Sequence, residues 1–211
     1  MKKIIVNYKN PEGELISEIV DILNRGGSII YPTDTVYGLG TNALREYCIQ
    51  RLFKIKKRPC CKPVPIIVRD IEMAKKFAFV DKKIEKALMQ VWPGPVTVVL
   101  TKRKDIPEIL TGGRMTIGLR IPDCEFIKLL MDKLDYPITA TSANFSGEPP
   151  IRHSIEIIKN FDKTYQHPDL FVDSGDLLDV SPSTVLDLTG AKPKILRVGP
   201  VNKKDLLGML R

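Results

Sequence analysis

The hydrophobic pattern of the chain alternates between short apolar runs rich in β-branched residues and longer stretches with helical spacing. Four apolar residues fall on one face of a predicted helix, because apolar residues three to four positions apart share a helical face. They are Leu15, Ile19, Ile22 and Leu23. The glycine pair at 26–27 is a typical helix stop. The β-branched run Ser28–Tyr31 then predicts a buried strand.

The same reasoning predicts the remaining elements and, with them, the fold class. Further helices are predicted over 49–56, 82–91, 125–134, 155–161 and 203–210, the last two with Ser154 and Asn202 as N-caps. Further strands are predicted over 64–68, 96–101, 116–119, 137–139, 170–173, 183–188 and 194–197. Helices that alternate with strands indicate an α/β fold, and the uneven strand spacing predicts a mixed sheet. We expect a single domain over residues 1–211.

Composition narrows the class of protein. Hydrophobic residues make up 43% and charged residues 27% of the 211 residues, as in soluble globular proteins. No apolar run approaches the ~20 residues that span a bilayer, and the start of the chain is unlike a secretory signal, so we expect a cytoplasmic protein without membrane contact. The net charge of +8 indicates anionic partners such as nucleotides, phosphates, carboxylates or RNA. The two histidines and four cysteines have no zinc-site spacing.

Residues 31–40 form the first segment whose side chains suggest chemistry. This segment leaves a predicted strand and places Thr33, Asp34 and Thr35 close together in a turn. Threonine hydroxyls at a strand end can bind an anion or orient a small polar ligand. The alternative is an ordinary strand-to-helix loop that Asp34 or Thr35 caps, and the residue types do not decide between the two.

A basic cluster over residues 51–62 is the second segment, with six basic residues among twelve and no acidic one. Lys56 and Arg58 stand near a predicted helix end, where cations also suit the helix dipole. Pro59 and Pro63 stiffen the loop, and a stiff basic loop suits phosphate. The GxxxxGK[ST] spacing of a Walker site is missing. A solvated charged face remains the alternative.

Small and hydroxyl residues over 139–147 form the third segment. Ser142 and Asn144 offer uncharged donors, and the small neighbours let backbone amides approach a ligand. A turn that satisfies its own backbone would look alike. Arg120 and Arg197 follow or end predicted strands and can bind carboxylate or phosphate, or form surface ion pairs. No nucleophile motif such as GxSxG and no HExxH is present, so chemistry without a protein nucleophile is expected.

Taken in order, these segments resemble the YrdC/YciO family of threonylcarbamoyl-AMP synthases. The matching segments are residues 26–31, PTDTVYGLG at 32–40, Lys56/Arg58 with Pro59 and Pro63, WPGPVT at 92–97, Arg120/Pro122, Ser142/Asn144, residues 183–185 and residues 195–199. The resemblance implies a twisted, open, mixed parallel and antiparallel sheet flanked by helices, with a basic concave cavity. Because the chain ends at Arg211, the extra C-terminal domain of longer family members is not expected.

The resemblance also implies a reaction and a set of roles. The implied enzyme is a nucleotidyltransferase that makes L-threonylcarbamoyl-AMP and pyrophosphate from L-threonine, bicarbonate and ATP. A downstream enzyme complex then transfers the threonylcarbamoyl group to an adenosine of tRNA. Mg²⁺ is expected to be held mainly by the ATP phosphates and water, and no residue is singled out as its ligand. By motif position, the catalytic residues are Lys56 and Arg58, the ATP-binding residues are Arg58, Lys62, Thr116, Ser142, Asn144 and Arg197, and the threonine-binding residues are Thr35, Arg120 and Ser183.

The chain departs from the family pattern at two positions, and two other functions compete. Lys62 stands where the family commonly has asparagine, and Ile67 stands where it has histidine. One alternative function is an RNA-binding module for tRNA or ribosomal RNA, suggested by the net charge of +8. The aromatic content of 7%, without an RNP-like run, is unlike most such modules. The other alternative is a carbamoyl-adenylate activity that uses carbamoyl phosphate in place of bicarbonate and threonine.

Overall fold

The computed structural model describes residues 1–177 and 179–209. Within them, the helices are α1 (Gly13–Asn24), α2 (Glu46–Lys56), α3 (Ile71–Phe77), α4 (Lys82–Val91), α5 (Glu108–Thr111), α6 (Glu125–Asp132), α7 (Ser154–Phe161) and α8 (Lys203–Met209). The strands are β1 (Lys2–Ile5), β2 (Ser28–Tyr31), β3 (Gly38–Thr41), β4 (Ile66–Ile67), β5 (Val96–Thr101), β6 (Thr116–Arg120), β7 (Ile138–Thr139), β8 (Thr141–Ser142), β9 (Leu170–Asp173), β10 (Thr184–Asp187) and β11 (Lys194–Arg197).

The strands form two mixed sheets. The first has the order β1-β9-β2-β3-β8, and the second has the order β11-β10-β5-β6-β4-β7. In each sheet, parallel pairs such as β2–β9 and β4–β6 lie beside antiparallel pairs such as β2–β3 and β5–β6. The predicted α/β class with mixed pairing is therefore confirmed, with the strands distributed over two sheets.

The chain crosses from one sheet to the other at Ala140. β7 pairs with β4 in the second sheet, and β8 pairs with β3 in the first, with this single residue between them. The Ala140 N–H donates to the carbonyl of Pro65 at 2.7 Å, which fixes the corner. Because both sheets approach each other here, residues from both can line one concave surface.

Local sequence explains several element ends. Gly26 lies two residues after the end of α1 and has φ +82°, a left-handed conformation that favours glycine. Asp205 N–H donates to the side chain of Asn202 at 3.0 Å, as predicted for an N-cap. The predicted end of this helix at Leu210 lies outside the described residues. The predicted N-cap Ser154 is wrong, because His153 holds that position and the Ser154 hydroxyl donates to Asp173 at 2.7 Å.

Several elements differ from the sequence-based prediction. The strand predicted over 64–68 is reduced to Ile66–Ile67, since Pro63 and Pro65 have no N–H for a ladder. The strand β3, Gly38–Thr41, was not predicted, because two of its four residues are glycine. A Cβ on Gly38 would lie 2.5 Å from the Tyr31 ring, so the glycine lets this buried ring pack across the hairpin.

The core lies between the sheets and the surrounding helices. Helix α1 buries Ile16, Ile19 and Leu23 in it, and strand β5 buries Val96 and Val98. Ile19 and Leu23 belong to the face that the spacing predicts. The predicted Leu15 is half-buried, whereas Ile16, which was not predicted, is buried. In the described part of the chain, no helix combines the length and apolar character needed to cross a membrane.

Candidate active site

A cavity of about 450 Å³ opens where the two sheets meet. Its wall includes Tyr31, Thr33, Thr35, Gly38, Arg58, Thr97, Arg114, Thr116, Gly118, Arg120, Ala140, Thr141, Ser142, Pro182, Ser183, Asp187 and Arg197. Four of these residues are arginines, and among the described lining residues Asp187 is the one carboxylate. The wall therefore favours an anionic ligand.

Arg120, the last residue of β6, is the most firmly held cation of the cavity. It is 6% exposed, and its Nε donates to the carbonyl of Gly94 at 3.1 Å. One terminal nitrogen donates to the Thr35 hydroxyl at 3.1 Å, and the other donates to Asp34 Oδ1 at 2.5 Å. Among the described residues, these contacts occupy three of the five guanidinium N–H groups and leave two for a ligand. Guanidinium N–H groups donate to carboxylates in charge-assisted hydrogen bonds.

The turn between β2 and β3 supplies the hydroxyl groups beside Arg120. The hydroxyls of Thr33 and Thr35 lie 3.1 Å apart, and the Thr35 N–H donates to the Thr33 hydroxyl at 3.0 Å. The Thr33 hydroxyl in turn donates to the carbonyl of Val36 at 2.7 Å. Since the turn joins two antiparallel strands, the strand-to-helix loop considered for this segment is wrong.

A second hydroxyl cluster joins the ends of β5, β10 and β11. The hydroxyls of Ser183 and Thr97 lie 2.8 Å apart. Arg197 donates to the Ser183 carbonyl from Nε at 3.1 Å and from a terminal nitrogen at 2.7 Å. Desolvation and the positive charge of Arg120 lower the pKa of Arg197 from its ordinary value. The guanidinium stays charged near neutral pH, because the ordinary pKa of an arginine lies far above neutrality.

The basic loop after α2 presents Arg58 to the cavity. Lys57 leaves the helix with φ 50°, which turns the chain sharply. The Arg58 side chain donates to the carbonyls of Lys62 at 3.3 Å and Pro63 at 2.8 Å, so it braces its own loop. Desolvation lowers the pKa of Arg58. The Lys62 side chain is exposed and does not line the cavity.

Lys56 lies behind the cavity wall, at the end of α2. Its side chain is 1% exposed, and Nζ donates to the carbonyls of Ser142 at 2.5 Å and Asn144 at 2.7 Å. The Ser142 hydroxyl donates to Asn144 Oδ1 at 2.5 Å. Burial, with a contribution from the charge of Arg58, lowers the pKa of Lys56 to about 7. Lys56 thus holds the backbone of the segment that carries Ser142.

The structure brings most of the predicted site residues to one place. Thr35, Arg58, Thr116, Arg120, Ser142, Ser183 and Arg197 line the cavity. Lys56 and Asn144 support this wall from behind, and Lys62 stands outside it. The ligand assignments of all these residues stay predictions.

Sequence reasoning missed some cavity residues, and one of them had a usable signal. Arg114 was not singled out, although it precedes a predicted strand and shares the parity of Thr116 and Arg120. Side chains two positions apart point to the same face of a strand. Asp187 and Thr97 carried no comparable signal, because their place depends on which strands become neighbours.

Comparison with known proteins identifies the family. A family model named for Sua5, YciO and YrdC, with the description telomere recombination, matches residues 21–199. The chain therefore belongs to the Sua5/YciO/YrdC family, in agreement with the resemblance drawn from its motifs.

Individual relatives include a threonylcarbamoyl-AMP synthase and an uncharacterised YciO protein. The threonylcarbamoyl-AMP synthase of Pyrococcus abyssi (strain GE5 / Orsay) is 35% identical over 205 residues, which are 96% of this chain and 59% of that protein. The uncharacterised protein YciO of Escherichia coli (strain K12) is 31% identical over 203 residues, 96% of this chain and 97% of YciO. The chain thus spans about three fifths of the Pyrococcus relative and almost the whole length of YciO.

A solved structure supports the same grouping. The crystal structure of P. abyssi Sua5 complexed with L-threonine superposes with a TM-score of 0.90 at 33% identity. The match covers 98% of this chain and 60% of the Sua5 chain. The two proteins therefore share one fold over the described region.

Proposed function

We propose that the chain is an L-threonylcarbamoyladenylate synthase, a nucleotidyltransferase that acts on L-threonine, bicarbonate and ATP. The carrying observation is one cavity that combines Arg120, with two free guanidinium donors, and the further cations Arg58 and Arg197. The name of the Pyrococcus relative and the threonine bound to its Sua5 structure support this choice.

The threonine subsite is proposed around Arg120. Its two remaining N–H groups would donate to the substrate carboxylate, and the neighbouring hydroxyls of Thr35 and Ser183 would hold the polar groups of threonine. Ile67 also lines the cavity and contributes an apolar wall. An apolar contact suits the methyl group of threonine, because burial of a methyl group is favourable.

The nucleotide subsite is proposed along Arg58, Thr116, Ser142 and Arg197. In the proposed reaction, the threonine amine and bicarbonate combine to a carbamate with loss of water. A carbamate oxygen then forms a bond to the α-phosphorus of ATP while the bond from that phosphorus to the pyrophosphate oxygen breaks. Two anions must therefore meet, and fixed guanidinium groups lower the electrostatic cost of that meeting.

Lys56 and Asn144 are proposed as positioning residues. Lys56 Nζ holds the carbonyls of Ser142 and Asn144, and Asn144 Nδ2 donates to the carbonyl of Glu148 at 2.6 Å. These bonds fix the segment on which the Ser142 hydroxyl stands. A catalytic contact of Lys56 with phosphate, as the motif implies, would require this side chain to leave three oxygen acceptors.

Mg²⁺ is proposed to enter with the nucleotide. Within residues 1–177 and 179–209, no group of three or more His, Cys, Asp or Glu side chains is arranged as a metal site. Asp187 is the available carboxylate of the wall, and its Oδ1 accepts from the N–H and hydroxyl of Thr189 at 2.9 and 2.7 Å. This donor set fits a metal held mainly by phosphates and water, which would neutralise part of the triphosphate charge.

Pyrophosphate release tests the proposed function. We expect release from ATP only when both L-threonine and bicarbonate are present, with threonylcarbamoyl-AMP detected by mass spectrometry from isotope-labelled threonine. Arg58→Ala should lower the rate by about 10²-fold or more, because it removes a charge that stabilises the transition state. Lys54→Ala on the exposed face of α2 is the control for loss of a nearby positive charge.

Other results would contradict this function. ATP turnover that is unchanged without threonine or bicarbonate excludes the synthase. Adenylate formation from carbamoyl phosphate instead selects the second alternative. Salt-dependent RNA binding without any nucleotide turnover selects the RNA-binding module. The use of the product by a tRNA-modifying complex, and a cytoplasmic location, remain predictions.

A further inference from the structure

Arg114 occupies the outer end of the cavity face of β6. Residues 114, 116, 118 and 120 all line the cavity, whereas Ile117 and Leu119 between them are buried in the core. Pairing with β5 continues past the end of the strand, because the Lys102 N–H donates to the carbonyl of Met115 at 2.9 Å. The alternation of a strand therefore places Arg114 on the same wall as Thr116 and Arg120.

The backbone before Arg114 is fixed in a tight turn. Gly112 and Gly113 have φ +58° and +75°, a conformation that favours glycine at both positions. Gly113 N–H donates to the Glu108 carbonyl at 3.1 Å, and Arg114 N–H donates to the Thr111 carbonyl at 3.2 Å. The position of the Arg114 backbone at the cavity mouth is thus determined by the fold.

This turn packs directly on the loop that carries Arg58. A Cβ on Gly112 would lie 2.5 Å from the carbonyl oxygen of Cys61, so the two backbones are in close contact. Val64 N–H also donates to the Leu110 carbonyl at 2.9 Å. Arg58 and Arg114 therefore stand on two adjoining segments, and both line the cavity.

Arg114 differs from the other cavity arginines in its contacts. Arg58, Arg120 and Arg197 each donate to backbone carbonyls, and Arg120 also has the Asp34 carboxylate. Throughout residues 1–177 and 179–209, the Arg114 guanidinium makes no hydrogen bond or ion pair, and the residue is exposed. All five of its donors are available to a ligand.

The distance along β6 separates Arg114 from the proposed threonine subsite. Six residues of extended strand span about 20 Å. Arg120 and Arg114 thus mark the two ends of one wall, with Thr116 between them. A ligand whose reacting end lies at Arg120 and whose anionic tail extends outward brings that tail to Arg114 and Arg58.

We infer that Arg114 is a phosphate-binding residue that pairs with the β- and γ-phosphates of the nucleoside triphosphate and with the pyrophosphate as it departs. The inference rests on the proposed function. When the bond between the α-phosphorus and the bridging oxygen breaks, its electron pair stays on pyrophosphate. The exposed guanidinium of Arg114 is available to pair with that growing charge, whereas Arg58 is bound to its own loop.

Calorimetric titration of wild-type protein and Arg114→Ala with ATP, AMP and pyrophosphate tests this role. We expect Arg114→Ala to weaken ATP and pyrophosphate binding about tenfold or more, since charge-assisted hydrogen bonds are lost. AMP binding should change by less than about twofold. Arg114→Lys should recover part of the ATP affinity, because it keeps the charge but not the planar fork.

Arg25→Ala is the matched control, because Arg25 is an exposed arginine that does not line the cavity. It should leave all three affinities unchanged. Equal ATP affinity in wild type and Arg114→Ala, or an equal loss for AMP and ATP, overturns the inference. A wild-type protein that binds no ATP overturns the proposed function as well. A third outcome is that Arg114→Ala loses pyrophosphate affinity while the wild type forms no threonylcarbamoyl-AMP. It would support the phosphate-binding role of Arg114 and contradict only the proposed synthase activity.

Discussion

Lys56 is almost completely buried and has three oxygen acceptors, and these two conditions shift its pKa in opposite directions. Burial lowers the pKa of Lys56 to about 7, whereas donation to the carbonyls of Ser142 and Asn144 favours the ammonium form. Near neutral pH the side chain thus stands close to a change of charge. Its charge state therefore links the stability of the fold to pH.

The unfolding free energy of the wild type should rise with pH relative to Lys56→Met. The unfolded chain keeps the lysine proton up to about pH 10.5, whereas the folded chain releases it near pH 7. The burial penalty is therefore full below pH 7 and declines between pH 7 and 10.5. The unfolding free energy of the wild type relative to Lys56→Met can rise by at most about 1.4 kcal/mol per pH unit. Urea unfolding at several pH values across this window measures it.

Lys54→Met is the control for this pH dependence. Lys54 lies on the same helix but is exposed, so its removal should leave the slope of stability against pH unchanged. Wild type and Lys56→Met with parallel pH profiles would show that Lys56 keeps its ordinary pKa in the folded protein. The prediction would then be wrong, although the contacts of Nζ with the Ser142 segment would stand.

Among the elements, those with a clear apolar pattern could be predicted from the sequence. Helix α4 at Lys82–Val91 has the predicted bounds because its apolar residues repeat at helical spacing, and strands β5 and β9 have them because each is a short, mainly apolar run. The two-residue strands β4 and β8 are too short for any period to show. Their pairing is decided by tertiary contacts at the sheet corner.

The residue types of the site could be predicted from the sequence, but the burial of each side chain could not. Thr35, Arg120 and Ser142 were singled out from motifs, and the fold does bring them to one cavity. The burial of Lys56 and the exposure of Lys62 depend on how the loop after α2 folds back. The presence of six basic residues among the twelve of this segment does not indicate that fold. The charge of a sequence indicates the class of partner, but it does not indicate which basic side chain contacts that partner.

The turn before β6 is where element packing can be tested. Alanine at Gly112 or at Gly113 should lower the free energy of unfolding by about 1 kcal/mol or more, because the left-handed φ alone disfavours a residue with a Cβ. Gly112→Ala also brings a Cβ within 2.5 Å of the Cys61 carbonyl, whereas a Cβ on Gly113 would meet none of the described residues within 4 Å. We expect Gly112→Ala to lose roughly 1–3 kcal/mol more than Gly113→Ala and to weaken ATP binding, because the Arg58 loop must move.

The pair of variants is its own control, since both glycines have positive φ. Thermal or urea unfolding gives the stability difference, and titration with ATP gives the effect on the site. If both variants lose equal stability, the contact between Gly112 and Cys61 does not constrain the two loops. In that case the proposed coupling of the two arginine-bearing segments has no support from packing.

At the scale of the whole molecule, the cavity joins two sheets, and its arginines come from the second sheet, the turn before β6 and the loop after α2. Tyr31 and Gly38 come from the first sheet, and Thr116 and Arg120 come from the second. A ligand that contacts both sheets binds the folded chain and not the unfolded one, so it stabilises the fold by mass action. The net charge of +8 and the four arginines of the wall make this stabilisation depend on ligand charge.

ATP should therefore raise the melting temperature, and adenosine should do so far less. At a concentration of about 100 times its Kd, ATP adds roughly 2.7 kcal/mol, which corresponds to about 5–11 °C for a domain of this size. Because salt screens the attraction between guanidinium and phosphate, the ATP shift at fixed ligand concentration should shrink as NaCl rises from about 0.05 to 0.5 M. Differential scanning fluorimetry measures both, with adenosine as the uncharged control. Equal shifts for ATP and adenosine, independent of salt, would mean that the arginines do not contact the phosphates and that the nucleotide is held by its base and ribose alone.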